Sequence, residues 1–195
     1  VIAAVVVVAA LAAADPVADP VTVRVRVDPV VAVVGGASVG VDVGVDDSDV
    51  RVAAAAFVVD VPRPFVPLLL GERASLKITE TAVQVGVFRS SEPGHRGFFF
   101  GPELYAYRLR TVDDARPTRA AVSRELYAHL TAGTVWFPFD DDDNDGFWGS
   151  FFVMPWATAG LPVWQTGGAR FSDGTSTTDR RLNVHATISV GLDLL

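Results

Sequence analysis

The chain has 195 residues, of which 50% are hydrophobic and 20% charged, with a net charge of −7 and no cysteine. This composition excludes a disordered chain, which would be poor in apolar residues and rich in charge. It also excludes a disulfide scaffold, a zinc-thiolate or iron–sulfur site and a cysteine nucleophile. The acidic balance argues against a nucleic-acid partner, which needs a basic stripe, and the length suits one domain.

Residues 1–14, VIAAVVVVAALAAA, form an uncharged apolar run. The run is shorter than the ~20 residues a membrane-spanning helix needs. It matches the apolar core of a secretory signal, with Ala12 and Ala14 supplying the small residues before a cleavage site. Residues 1–14 are therefore expected to be a residual signal-peptide segment, with a buried strand or helix as the alternative. Residues 15–20, DPVADP, follow as an expected exported linker, because Asp-Pro pairs favour turns.

From residue 21 the pattern alternates with a period of two. Val21, Val23, Val25 and Val27 interleave with Thr22, Arg24 and Arg26. Val39, Val41, Val43 and Val45 interleave with Gly40, Asp42 and Gly44, and Val83, Val85 and Val87 with Ala82, Gln84 and Gly86. Leu126, Ala128 and Leu130 interleave with Tyr127, His129 and Thr131, and Val153, Pro155 and Ala157 with Met154, Trp156 and Thr158. The last segment is the most regular: Leu182, Val184, Ala186, Ile188, Val190, Leu192 and Leu194 alternate with polar or tiny residues. A strand turns successive side chains to opposite faces, so each segment has one apolar and one polar face. This last run of 13 residues also exceeds the usual strand of about 5–6 and is long enough for the about 9–11 of a tilted membrane crossing.

Turn signals divide the chain into eight expected strands at 21–34, 39–45, 50–61, 78–89, 98–110, 123–139, 147–163 and 181–195. Short polar turns at 46–49, 90–97 and 140–146 alternate with longer connections at 62–77, 111–122 and 165–180. Outer-membrane barrels have short periplasmic turns and longer outer loops. The Gly-Gly-Ala-Ser segment at 35–38 is the expected first outer link, and residues 21–45 are either two strands or one. Residues 119–130 are the one helical candidate after the leader. Aromatic residues gather beside the short turns: Phe88, Phe98, Phe99 and Phe100 at one, and Trp136, Phe137, Phe139, Phe147 and Trp148 at another. Phe98, Phe100, Trp136, Phe147 and Trp148 are the expected members of an aromatic girdle at the headgroups. The alternative is a small aromatic core under two hairpins.

The alternating last strand, the segments GFFFGPELYAYRLR and GSFFVMPWATAGLPVW, and the turn alternation resemble the small eight-stranded outer-membrane β-barrels of the OmpA-transmembrane-domain and OmpX type. The likeness covers residues 21–195. It implies an all-β, up-and-down antiparallel transmembrane β-barrel in the bacterial outer membrane, with lipid as its surroundings.

Backbone polar groups in lipid must be satisfied internally, so strands crossing a membrane have to close into a barrel. Eight strands enclose an interior that side chains fill. Arg24, Arg26, Asp42, Glu80, Glu103, Glu125, His129, His185 and Asp193 are the expected lumen network, since buried charges need partners. Asp141, Asp143 and Asp145 before Gly146 match the first half of a calcium loop, but Phe152 stands where the bidentate carboxylate belongs. A solvated acidic turn is the simpler reading, and no cofactor is expected. Ser123, Glu125 and His129 have the residue types of a hydrolase triad. Same-face neighbours on one strand lie about 6–7 Å apart, too far for a base and its nucleophile. His95, beside Pro93-Gly94, reads as a turn residue.

The sequence thus points to a non-enzymatic outer-membrane barrel with a structural, anchoring or surface-interaction role. Partners would meet it through residues 62–77, 111–122 and 165–180. Two other readings stand beside it: a soluble secreted lipocalin-like barrel that binds a hydrophobic ligand, its faces reversed, and an outer-membrane lipid-modifying enzyme.

Overall fold

The two-residue alternation organises the chain into a closed sheet. The computed structural model describes residues 21–45, 48–63, 76–92, 95–113, 116–139, 147–166 and 182–194. The strands are β1 Val21–Val27, β2 Ala37–Val45, β3 Val50–Asp60, β4 Leu76–Glu92, β5 Arg96–Asp113, β6 Arg116–Val135, β7 Phe151–Gln165 and β8 Asn183–Asp193. Each pairs antiparallel with its sequence neighbour, and β8 pairs back onto β1, from Arg24 opposite Asp193 to Val27 opposite Val190. The fold is an all-β, up-and-down barrel of eight strands. Closure in this form removes the free sheet edges that an open sheet would expose.

Burial follows the pleat. Along β4, buried and exposed positions alternate from Leu76 to Arg89, and β5 repeats the pattern from Phe98 to Arg110. The polar set faces inward: Arg24, Asp42, Arg51, Gln84, Thr131 and Ser189 are all buried. The apolar set faces outward: Val85, Leu104, Leu130, Leu161 and Val184 are each at least half exposed.

Several expected boundaries change. The first strand does not run to residue 34 but stops at Val27, and a one-turn helix, α1 Pro29–Val33, follows. Asp28 caps it: its Oδ1 accepts from the backbone N–H of Val30 at 2.9 Å and of Val31 at 3.1 Å. Pro29 fits the first helical position, where its missing N–H costs nothing. Gly35, at φ +84°, turns the chain out of the helix into β2. Residues 21–45 are therefore two strands joined by a capped helical turn.

The connection expected at 111–122 is mostly strand. β5 continues to Asp113 and β6 begins at Arg116, leaving residues 114–115 between them. The helical candidate at 119–130 lies inside β6, where the ladder with β5 overrides its helical spacing. Its charged residues resemble a loop because β6 outgrows its neighbour: Gln165, near the end of β7, lies opposite Glu125, so residues 116–124 rise above β7. The seventh strand starts at Phe151 rather than 147, and residues 147–150 form a turn. Two ends result. One carries the links at 46–49 and 93–95, and the other, the mouth, carries α1 and the tall β4–β6 wall.

Candidate functional site

The candidate site is the barrel interior with the surfaces that bound it. All nine residues of the expected lumen network face inward, and the structure arranges them in layers rather than in one continuous chain. Nearest the short-link end, Arg24 Nε donates to Asp193 Oδ2 at 2.9 Å and its Nη1 to the carbonyl of His95 at 2.7 Å. The same guanidinium lies 5.1 Å from the Phe137 ring centre and 5.7 Å from that of Phe152. Arg51 sits likewise against Phe99 at 4.3 Å and Phe88 at 5.5 Å. Such contacts stabilise by about 0.5–2 kcal/mol, more where water is excluded.

Above this floor, Asp42 stands between two arginines. Its Oδ1 is 3.2 Å from Arg26 Nε and its Oδ2 3.2 Å from Arg51 Nη1. Register makes the triad. Arg24 and Asp42 are directly opposed across β1 and β2, with Arg26 one inward step further, and Arg51, opposite Gly44, is the inward diagonal neighbour of Asp42 on β3.

The middle layer joins Glu103, Thr131, Thr158 and His129. The Thr131 hydroxyl donates to Glu103 Oε2 at 2.7 Å and lies 2.7 Å from Thr158 Oγ1, which is 3.0 Å from His129 Nδ1. Tyr105, Tyr107 and His185 stack above it, Tyr127 meets Tyr107 edge-on and His129 is tilted against Tyr105, with Tyr107 Oη 2.9 Å from His185 Nε2. Near the mouth, Ser123 donates to Glu125 Oε1 at 3.1 Å. Serine is thus engaged by glutamate while His129 turns to Thr158, so the geometry does not join Ser123 to His129 as nucleophile and base. Glu80 is buried on the β4 wall beside α1.

Sequence reasoning missed several members of this interior. Arg51 belongs to the Asp42 layer, but the alanine run at 53–56 beside it blurs which face points inward. Phe88, Phe99 and Phe137, which seemed to flank a girdle, are buried and form the floor. His95 does lie in a turn, at φ 59°, yet its ring is buried. Gly44 makes room for it: a Cβ there would coincide with the imidazole.

The exterior carries its own order. Phe98, Phe100, Trp136, Phe147 and Trp148 are all more than half exposed and sit around the short-link end. Phe139 packs edge-on to Trp148 with centroids 5.5 Å apart. On the outward face of β5 the apolar residues run from Phe98 to Ala106 and end at Arg108 and Arg110. On β6 Arg124, directly opposite Arg108, interrupts them, with Val122 beyond it. The eight steps from Phe98 to Ala106, at ~3.3 Å each and a tilt of about 40°, give a band about 20 Å tall.

Beyond that band, at the mouth, Asp60 ends β3. Thr79 donates to its Oδ1 at 2.6 Å and Lys77 Nζ lies 2.7 Å from its Oδ2. The hydrogen bonds from Lys77 and Thr79 hold the Asp60 carboxyl below the usual carboxylate range. Asp141, Asp143 and Asp145 lie outside the described residues, as do residues 1–20 and most of the links at 62–77 and 165–180. Among the described residues, no group of His, Asp and Glu is arranged to hold a metal ion. Comparison with known protein families, with curated proteins and with solved structures finds no match to this chain.

Proposed function

We propose that this chain is an integral β-barrel of a bacterial outer membrane, with a structural, anchoring or surface-interaction role rather than an enzymatic one. One observation carries the reading: the barrel is apolar outside and charged inside. Val85, Leu104, Leu130, Leu161 and Val184 face out, while Arg24, Arg51, Asp42 and Glu103 are buried. Soluble domains rarely expose a contiguous apolar surface of more than a few hundred Å². A lipocalin-like carrier would need the opposite arrangement, with an apolar lumen.

The markers at the two ends agree with this reading. Exposed Phe and Trp residues ring the short-link end, as interfacial aromatics do. At the other end, Arg108 and Arg124 face each other across β5 and β6. Like charges directly opposed destabilise a sheet, and phosphate headgroups would offset that repulsion. The band between has the height of a thin hydrocarbon layer. The lumen layers leave the middle of the barrel filled with side chains, which suits an anchor better than a pore. In this reading residues 1–14 direct export, and the mouth links around 62–75 and 166–182 present the surface to partners. The stretch at 111–122 contributes instead as the rising β5–β6 wall.

Expression of the full chain in a Gram-negative host tests the reading. The protein should fractionate with the outer membrane and migrate faster unheated than boiled on a denaturing gel. Recovery in the soluble periplasmic fraction without detergent would remove it.

A further inference from the structure

The barrel wall is not uniform. β1 meets β8 only as far as Val27 opposite Val190, and meets β2 only as far as Arg26 opposite Gly40. Toward the mouth, β2 and β8 both continue, to Ala37 and Asn183, while β1 is replaced by α1. Five residues of helix occupy a place where every other interval of the wall holds a strand. A cavity of about 230 Å³ opens at this place.

Its lining crosses the wall. Ala55, Phe57, Tyr105 and Trp156 come from the inward faces of their strands. Val39, Ala56 and Ala186 come from outward faces, and Val30 and Val31 from the helix. Residues of both parities thus border the space, at the place where the helix stands in for strand pairing between β2 and β8. The exterior around it is apolar: Val33, Val39, Val58, Val184 and Ile188 are all exposed there.

Several polar groups that line the cavity are already engaged. Arg26 bonds Asp42 and lies 3.4 Å from Ser189 Oγ. Trp156 Nε1 donates to Ser189 at 3.0 Å, Thr187 donates to Asp28 Oδ2 at 2.6 Å, and His185 pairs with Tyr107. What the cavity offers a guest is therefore mainly carbon surface. An apolar protein cavity of about 150 Å³ holds a benzene ring. By that scale 230 Å³ takes about nine carbon atoms in a row or ring.

We propose that this cavity takes the end of one hydrocarbon chain of a membrane lipid, admitted sideways between β2 and β8 beside the helix Pro29–Val33. The inference rests on the membrane reading above. The small side chains at the opening follow from it. Ala55 and Ala186 leave room, and Gly40 lets Arg26 and Ala55 pack close behind them, since a Cβ there would press on both at 3.0–3.1 Å. The capped helix blocks strand pairing across the gap, and its valines give a chain an apolar surface to slide along.

Tryptophan quenching tests this in the full chain reconstituted into phosphatidylcholine bilayers brominated along the acyl chains. The chain has four tryptophans. A variant carrying Trp136→Phe, Trp148→Phe and Trp164→Phe reports Trp156 alone, and Trp156→Phe reports the exterior set. Quenching of Trp156 is expected, and its loss in both Ala55→Leu, which fills the cavity, and Ala186→Leu, which narrows the opening from the lipid side. Ala186→Leu sits on the lipid face, so it keeps the test valid if Ala55→Leu does not fold. Exterior quenching with Trp156 unquenched overturns the cavity proposal and leaves the membrane reading intact. Trp156 quenching that persists in folded variants overturns it as well. Absence of quenching in both reporters ends the membrane reading and this inference with it.

Discussion

Asp42 joins two of the buried arginines of the interior. It carries one negative charge between the guanidinium groups of Arg26 and Arg51, and all three are buried. With charge centres near 4 Å, each contact is worth about 4 kcal/mol of attraction at an effective dielectric of ~20. Desolvation and the mutual repulsion of the arginines offset much of this. What remains visible is the cost of breaking the group. Asp42→Asn keeps the shape, removes the charge and leaves two buried cations facing each other, a change that costs about 3–5 kcal/mol. The assay is reversible urea unfolding of the barrel in micelles, followed by tryptophan fluorescence. Adding Arg51→Met removes one stranded cation and places a thioether against Phe88 and Phe99, so the double variant should recover about 2 kcal/mol. An Asp42→Asn protein within about 0.5 kcal/mol of the parent, the range of a neutral surface change, would refute the layered interior.

Three further outcomes follow. Gly44→Ala puts a methyl where the His95 ring lies; it should lower unfolding stability by about 1–3 kcal/mol, and adding His95→Ala should restore part of the loss, whereas equal stability of Gly44→Ala and the parent would contradict the buried ring. Leu130→Arg puts a charge in the middle of the outward apolar band; it should cost about 2–4 kcal/mol in a bilayer, and no cost there would contradict lipid contact. Asp60, with its carboxyl held low by Lys77 and Thr79, should keep its charge as pH falls through the usual carboxylate range. Any stability its bonds add is full above the ordinary carboxylate value, declines as pH falls below that value, and is gone once pH has dropped through the lowered one. A carbon-detected titration of its carboxyl at an ordinary midpoint would overturn this.

Much of the fold is legible because period-two patterning depends on facing alone. In β8 every second residue is apolar, as are Val83, Val85 and Val87 of β4, and the parity read from the sequence is the one the barrel has. The nine lumen residues follow from that parity. What stays hidden has particular causes. In β3 the alanines at 53–56 are small enough for either face, so Arg51 carries no parity signal. The apolar run at 29–34 has no alternation, and only Asp28 followed by Pro29 marks it as a helix start. The stretch at 111–122 mixes charged residues with Pro117 and has no strict alternation, and such strands look like loops. Phe88 and Phe99 look like exterior aromatics until Arg51 is seen to need ring faces inside.

Cysteine accessibility tests the outward apolar face most directly, because the chain has no cysteine of its own. Single cysteines are placed at Leu104 and Leu130 in the band and at Arg108 and Arg124 on its edge, and membranes never exposed to detergent are treated with a water-soluble maleimide. A lipid-facing exterior predicts rapid labelling of Arg108→Cys and Arg124→Cys. It predicts labelling of Leu104→Cys and Leu130→Cys only after unfolding. Labelling of Leu104→Cys and Leu130→Cys in the folded protein as fast as at the edge positions would place that face in water and contradict the membrane barrel.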